Sequence, residues 1–343
     1  MKAVVAVWFS LFLAVGLVTS CSSKDSWVED EVTFTADGLT IHGTYRHLKS
    51  NASGPAALLI SESGNTDRNG DNAVVGPVGN MRQLATYLSD HGVATLRYDK
   101  VGTGKTGLGP YASHRTDVGS AVYTLGAKAA VRFLADQPGT DKARISTYAI
   151  GEGTTHAMAL ATDTDPGAPK IHSLGLLQPL TGRYLDLITD KVRADNAVQL
   201  KQGSKTQQEA DDILATWTAA VAQARSTGTV PKDQLPDGLS AVLNASNVKA
   251  VVEQDAIDPV AEAQHIANGT PVLLTCSDSD GQALCTAIKP LSDALAHTAL
   301  TEVALKGVNH VLRDDPTDNA SNYAKQDPLA PQLITALDQF VTK

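Results

Sequence analysis

The glycine run Gly102-Thr103-Gly104-Lys105-Thr106-Gly107 has the spacing of a turn that cradles a dinucleotide, and it follows an apolar stretch ending at Tyr98. Phosphate binding at such a turn needs a helix that opens directly behind it, so that amides and dipole face the pyrophosphate. Here Leu108-Gly109-Pro110 continues as loop, which argues against a dinucleotide cofactor. Gly104-Lys105-Thr106 also has the end of a P-loop, but Asp99 stands where the first glycine of that motif belongs. Asp278-Ser279-Asp280-Gly281 offers close carboxylates without the further ligands and late Glu of a calcium loop. The nine histidines include no HExxH pair and no His/Cys cluster with zinc spacing, so no metal and no cofactor is expected. Lys and Arg number 28 against 37 Asp and Glu, a net charge of −9, and aromatic residues make up 5%. That balance supplies neither a basic stripe for a phosphate backbone nor many stacking platforms, and nucleic acid is excluded as a partner.

Three cysteines remain to be explained. Residues 1–20 carry one early charge, Lys2, and then run apolar from Ala3 to Val18 with only Ser10 and Gly16 interrupting. This is the layout of an export signal. Val18-Thr19-Ser20-Cys21 resembles a bacterial lipobox, which implies a signal peptide over 1–20, a diacylated Cys21 as mature N-terminus and a polar tether over 21–30. The expected location is the outer face of a bacterial cell membrane, with the lipid anchor as the membrane contact. With Cys21 lipidated, Cys276 and Cys285 form an even pair in an oxidising compartment, so a disulfide between them is expected. The Asn-x-Ser sites at Asn51, Asn244 and Asn319 are read as chance composition in such a protein.

The elements that must position any site follow a regular rhythm. Val32 to Tyr45 alternates around Asp37-Gly38, a hairpin pattern. Strands are expected at Ala56 to Ser61, Ala94 to Tyr98, Ile145 to Ile150, Ile171 to Gln178, Val272 to Cys276 and Glu302 to Leu305. Met81 to Asp90, Ser120 to Ala135 and Thr155 to Thr162 have helical composition between them. The alternation predicts an α/β fold with a mostly parallel sheet covered on both faces. It breaks over 179–268, where helices such as Tyr184 to Leu200 and Gln207 to Ala224 carry no convincing strand. A helical cap insertion between core segments 31–178 and 269–343 is expected, over the carboxyl edge where such sheets bind ligands.

Leu96-Arg97-Tyr98-Asp99-Lys100-Val101-Gly102-Thr103-Gly104 resembles the loop after the fourth strand of α/β-hydrolases, especially exported bacterial esterase-like and peptidase-like members. Ser63-Gly64-Asn65-Thr66-Asp67-Arg68-Asn69-Gly70 is similar to their oxyanion loop, and Asp141 to Ile145 leads into the nucleophile strand. Pro271-Val272-Leu273-Leu274 precedes an acid turn at Asp280, and Gly307-Val308-Asn309-His310 resembles the late histidine loop. The resemblance covers about residues 31–343 and implies the order nucleophile, acid, histidine. It implies Asp280 and His310 as acid and base, and Ser63, Gly64 and Glu152 as the oxyanion region. The nucleophile position departs from the pattern: in place of G-x-S-x-G, the chain reads Ala149-Ile150-Gly151-Glu152-Gly153, with Gly151 at the serine position. Glu62 departs too, because a small residue is usual there and a carboxylate opposes a developing oxyanion unless it turns away. Turned out to solvent is the expected orientation. Thr154 and Thr155 should be engaged by the following helix, and Ser61 and Ser63 lie off the elbow. The chain is therefore expected to be a hydrolase-like lipoprotein with a vestigial triad that binds a small acyl or peptide-like ligand or a partner. The alternative is an ester or amide hydrolase with a non-standard nucleophile or activated water.

Overall fold

The computed structural model describes residues 26–341, so Cys21 and the apolar segment before it lie outside the described residues. β1 (Trp27–Ala36) and β2 (Leu39–Leu48) pair antiparallel around Asp37 and Gly38, both at positive φ as a two-residue hairpin turn requires. β1 starts earlier than its apolar alternation suggests, because each acid of Glu29-Asp30-Glu31 finds a partner. Arg46 and Arg97 meet Glu29, His47 meets Asp30, and Arg68 and Lys105 meet Glu31.

The chain continues through β3 (Gly54–Ile60), α1 (Asn80–Asp90), β4 (Ala94–Tyr98), α2 (Ser120–Ala135), β5 (Thr140–Gly151), α3 (Gly153–Ala161) and β6 (Ile171–Pro179). After a helical stretch come β7 (Pro271–Ser277), a short helix over Lys289–Ala294, β8 (Ala299–Leu305) and a last helix over Pro331–Phe340. The eight strands form one sheet in the order β1-β2-β4-β3-β5-β6-β7-β8. β2 runs antiparallel to β1 and β4, and every other neighbouring pair is parallel.

The continuous apolar run of β3 follows from its central position, where both faces are covered. Ala57 and Leu59 pack with Met81, Leu84, Ala85 and Leu88 of α1 and with Leu333, Leu337 and Phe340 of the last helix. Ala56, Leu58 and Ile60 face the other way, into a core with Ala127, Ala130, Val131 and Leu134 of α2 and Ala157 and Met158 of α3. The contributions of α1 recur at the i, i+3, i+4, i+7 spacing of one helical face. Both layers bring the carboxyl ends of β3, β4 and β5 to one edge, where the loops carrying polar residues begin.

Between β6 and β7 the described chain is helical: α4 (Tyr184–Gln202), α5 (Gln207–Thr227), α6 (Val248–Ala256) and α7 (Pro259–Ala263), with a turn of 3-10 helix over Leu239–Ala241. A capping box starts α5, with Thr206 and Glu209 exchanging side-chain to backbone bonds. These helices have their own core around Trp217, which is fully buried with Leu185, Val192 and Val221 and donates its indole N–H to Thr189 Oγ1 at 2.9 Å. Asp255, 1% exposed, gathers them. It accepts from the Leu185 amide at 2.9 Å, from Arg183 at 3.0 Å, and from Arg225 in a two-pronged pair at 2.8 and 2.9 Å. Among the described residues no helix is long and apolar enough to cross a membrane.

Candidate functional site

β3 and β5 are hydrogen-bonded neighbours up to the Ile60 and Ala149 pair, so the residues just beyond them meet. Gly151 ends β5 at φ 53°, a left-handed turn into α3 that suits a residue without a Cβ. Two residues past β3, Glu62 turns inward. A Cβ built on Gly151 would lie 1.7 Å from Glu62 Oε2, so the Glu62 carboxylate fills the space a side chain at 151 would need.

The contacts of that carboxylate define the site. Oε1 accepts from the amides of Ser63 at 2.6 Å and Glu152 at 3.3 Å, and Oε2 lies 2.7 Å from His310 Nε2. His310 Nδ1 lies 2.8 Å from Asp280 Oδ2, and Asp280 Oδ1 accepts from the Gln282 amide at 2.8 Å. The structure thus brings Gly151, Asp280, His310, Ser63 and Glu152 together. Gly64, in the left-handed conformation at φ 60°, is not among the donors to Glu62.

The acid and histidine loops are fastened by several independent ties. The Cys276 to Cys285 disulfide, with Cα atoms 4.9 Å apart, closes the loop that carries Asp280. Ser277 donates its hydroxyl to the Val308 carbonyl at 2.6 Å, linking that loop to the one carrying His310. Asp318 accepts from the His310 amide at 2.9 Å, the Gly281 amide at 3.1 Å and the Tyr323 hydroxyl at 2.6 Å.

The expectation that Glu62 faces solvent is overturned, and the electrostatics give the reason. Burial works against the Glu62 charge, but His310, the Ser63 amide and Lys100 outweigh it and hold the carboxyl at about 2, against an ordinary 4.5. Burial also opposes a charge on His310, and the flanking carboxylates Asp280 and Glu62 outweigh it, raising the imidazole well above its ordinary 6.5. The ring therefore carries protons on both nitrogens. The second nitrogen thus faces a carboxylate, that of Glu62. With both N–H groups donated, the ring has no lone pair to act as base.

The hydroxyls of Thr154 and Thr155 are engaged as expected, and that of Ser61 is occupied as well. Thr154 Oγ1 donates to the Gly151 carbonyl at 2.6 Å, Thr155 Oγ1 to the Glu152 carbonyl at 2.8 Å, and Ser61 Oγ to the Thr66 carbonyl at 3.1 Å. Lys100, unnoticed in the sequence, is buried and donates its amine to the Glu62 carbonyl, 5.5 Å over the ring of Tyr123. Burial lowers its affinity for a proton, and the nearby carboxylates of Glu152 and Glu62 offset part of that.

No family model matches this chain. Histidinol dehydrogenase of Methanosarcina mazei is 21% identical over 197 residues, 57% of this chain. The chain spans 41% of that protein's length. Among solved structures, the Pyrococcus furiosus esterase Pf2001 aligns over 99% of this chain and 97% of its own, at 14% identity and a TM-score of 0.54. Est1E of Butyrivibrio proteoclasticus, solved with ferulic acid bound, aligns over 91% and 100% at 16% identity and a TM-score of 0.54. Acetyl xylan esterase 1 of Thermoanaerobacterium aligns over 92% and 87% at 12% identity and a TM-score of 0.51. The fold is the α/β-hydrolase fold. At these identities the likeness is one of architecture, and the chemistry rests on this chain's own residues. Within the α/β-hydrolase fold, Gly151 ends β5 near the sheet's centre, a single residue, Glu152, separates it from α3, and Asp280 and His310 follow later in the chain.

Proposed function

We propose that the protein is a lipid-anchored member of the hydrolase fold without serine-hydrolase catalysis, whose old substrate pocket binds a small ligand or a partner. The observation that carries this reading is the Glu62 carboxylate, which fills the space beside Gly151 and takes the amides of Ser63 and Glu152. Those amides are the donors a tetrahedral oxyanion would need. Removing a triad serine costs roughly 10⁶-fold in turnover, about 8 kcal/mol of barrier. Glu62 does not make up this loss as an ester-cleaving nucleophile, because one of its oxygens already occupies the donors that a substrate oxyanion would use. Attachment through Cys21 is supported by the lipobox alone.

The test is pre-steady-state kinetics with p-nitrophenyl acetate. Wild type should give no acyl-enzyme burst. Gly151→Ser alone should also stay silent, because its Cβ collides with Glu62, whereas the Gly151→Ser/Glu62→Gly double variant vacates the seat and should give one. A burst from the wild type, abolished by changing some other serine, would overturn the reading. For the anchor, Cys21→Ala should release the chain from membranes or leave its signal uncleaved; unchanged attachment with a cleaved, unlipidated terminus argues against lipidation.

A further inference from the structure

A cavity of about 270 Å³ opens beside the Glu62 and His310 pair. Its walls include Val75, Val78, Ile150 and Val311, with Tyr323 at one side. Ligand sites commonly run from about 300 Å³ upward, so this one suits a short aliphatic stem. The polar end of the cavity determines what such a stem can carry.

The Glu62 side chain is 19% exposed, and Oε2 receives one hydrogen bond, from His310. A carboxylate oxygen can accept a second. Tyr323 gives its proton to Asp318 at 2.6 Å, so its oxygen is left as an acceptor. His310 is the one cation among the lining residues, and both its ring N–H groups are already donated to Asp280 and Glu62. Behind the wall, Asp280 and Asp318 add negative charge to that of Glu62; Lys100 faces the Glu62 carbonyl with Glu152 close enough to offset it, and Arg313, donating to the carbonyls of Val78 and Tyr323, is offset by Asp71 and Asp327. The floor therefore keeps a surplus of negative charge, and the amides that would greet an anion are filled by Glu62.

This is the reverse of the polarity that an ester-cleaving pocket needs. We propose that the cavity takes a small aliphatic ammonium ion, its N–H groups donated to Glu62 Oε2 and the Tyr323 oxygen and its stem lying among the valines. The inference rests on the non-hydrolytic reading above and names the ligand class of that site. A carboxylate, the product of an esterase, would meet repulsion from Glu62 and find no free charged donor.

The test uses the full-length protein at pH 7 and titrates n-butylammonium, n-butanol and butyrate, with binding followed by calorimetry. Butylammonium should bind at least tenfold more tightly than butanol, and butyrate should not bind measurably. Glu62→Gln should weaken butylammonium at least tenfold and leave butanol unchanged. Val75→Phe, which narrows the cavity without touching a charge, should abolish both and decides the case if the Glu62 variant fails to fold. Butyrate binding as tightly as butylammonium, or butylammonium binding that survives Val75→Phe, would overturn the proposal. An acyl-enzyme burst from the wild type would instead sink the non-hydrolytic reading, so the two failures are told apart.

Discussion

Two inward-turned carboxylates at the ends of neighbouring strands, Asp99 buried and Glu62 half-buried, are built alike and held differently. Asp99 follows β4, and a Cβ on Gly104, at φ 45°, would lie 2.2 Å from its Oδ2. Glu62 follows β3 and is tucked against Gly151 in the same manner. Each acid thus occupies room surrendered by a left-handed glycine, and each accepts two backbone amides: Arg68 and Lys105 donate to Asp99, Ser63 and Glu152 to Glu62. The partner cation separates them. Asp99 meets the Arg68 guanidinium at 2.9 Å, whose charge is permanent, whereas Glu62 meets an imidazole whose charge depends on pH. The same backbone device therefore serves as a fixed clamp at Asp99 and as a titratable one at Glu62.

The largest test of that contrast is Asp99→Ala, which leaves the buried Arg68 with only the exposed Glu31 as a carboxylate partner. Breaking such a pair costs about 3–5 kcal/mol, and urea denaturation should show the loss equally at pH 6 and pH 8. An effect that changes sharply between those values would erase the distinction between the clamps.

Opening the Cys276 to Cys285 bridge should come next. Its short loop is worth about 2–3 kcal/mol to the folded state. Because that loop carries Asp280, the Cys276→Ser/Cys285→Ser variant should also bring the His310 titration, followed by NMR, back toward its ordinary range. An unmoved imidazole in the unbridged protein would mean that Ser277 and Asp318 hold the acid loop unaided.

Glu62→Gln should cost less, about 1–3 kcal/mol, since the amide keeps the shape but loses its charge-assisted bonds. Its pH signature is more informative than its size. Glu62 has a depressed native value, so its contribution is present above about 4.5 and is lost as pH falls through about 2. His310 has a raised one, so its contribution is complete below its ordinary 6.5 and is lost as pH climbs through the elevated native value. Wild-type stability should therefore decline on both limbs. The variant should lose the part of the acid limb due to Glu62 and keep a shallower alkaline one, because Asp280 still faces the ring. Superimposable stability profiles from wild type and variant would remove Glu62 from the account.

Much of the scaffold was legible in the chain. Ala94–Tyr98 and Ser120–Ala135 occur as their composition indicates, because buried parallel strands are apolar runs and covering helices repeat on one face. β5 starts earlier than expected, at Thr140, through residues such as Asp141 and Lys142 that carry no apolar signal. The glycine at 151 and the carboxylate at 62 could each be read as departures from a hydrolase pattern. Their union could not, since the direction of a side chain past a strand end depends on which neighbouring strand leaves a gap. One signal was present nonetheless: a side chain missing at one position and one added at another, both at the same end of a sheet, are complementary in volume. Lys100 carried no such mark, because its burial is imposed by Glu62 and Tyr123 from distant parts of the chain.

Asp255 has a mechanical consequence for the helices between β6 and β7. One carboxylate is the shared knot for the start of α4, the last turns of α5 and the end of α6. Helices gathered at that knot, with α4 and α5 also joined by Trp217 to Thr189 and by Asn196 to Ala210, and packed around one indole behave as one stiff body, so their motion over the sheet should be a hinge movement of the whole rather than fraying of the parts. Amides throughout the three helices should then exchange with deuterium in a single correlated phase. Cutting the knot with Asp255→Asn should split that phase before it shifts the exchange of the sheet.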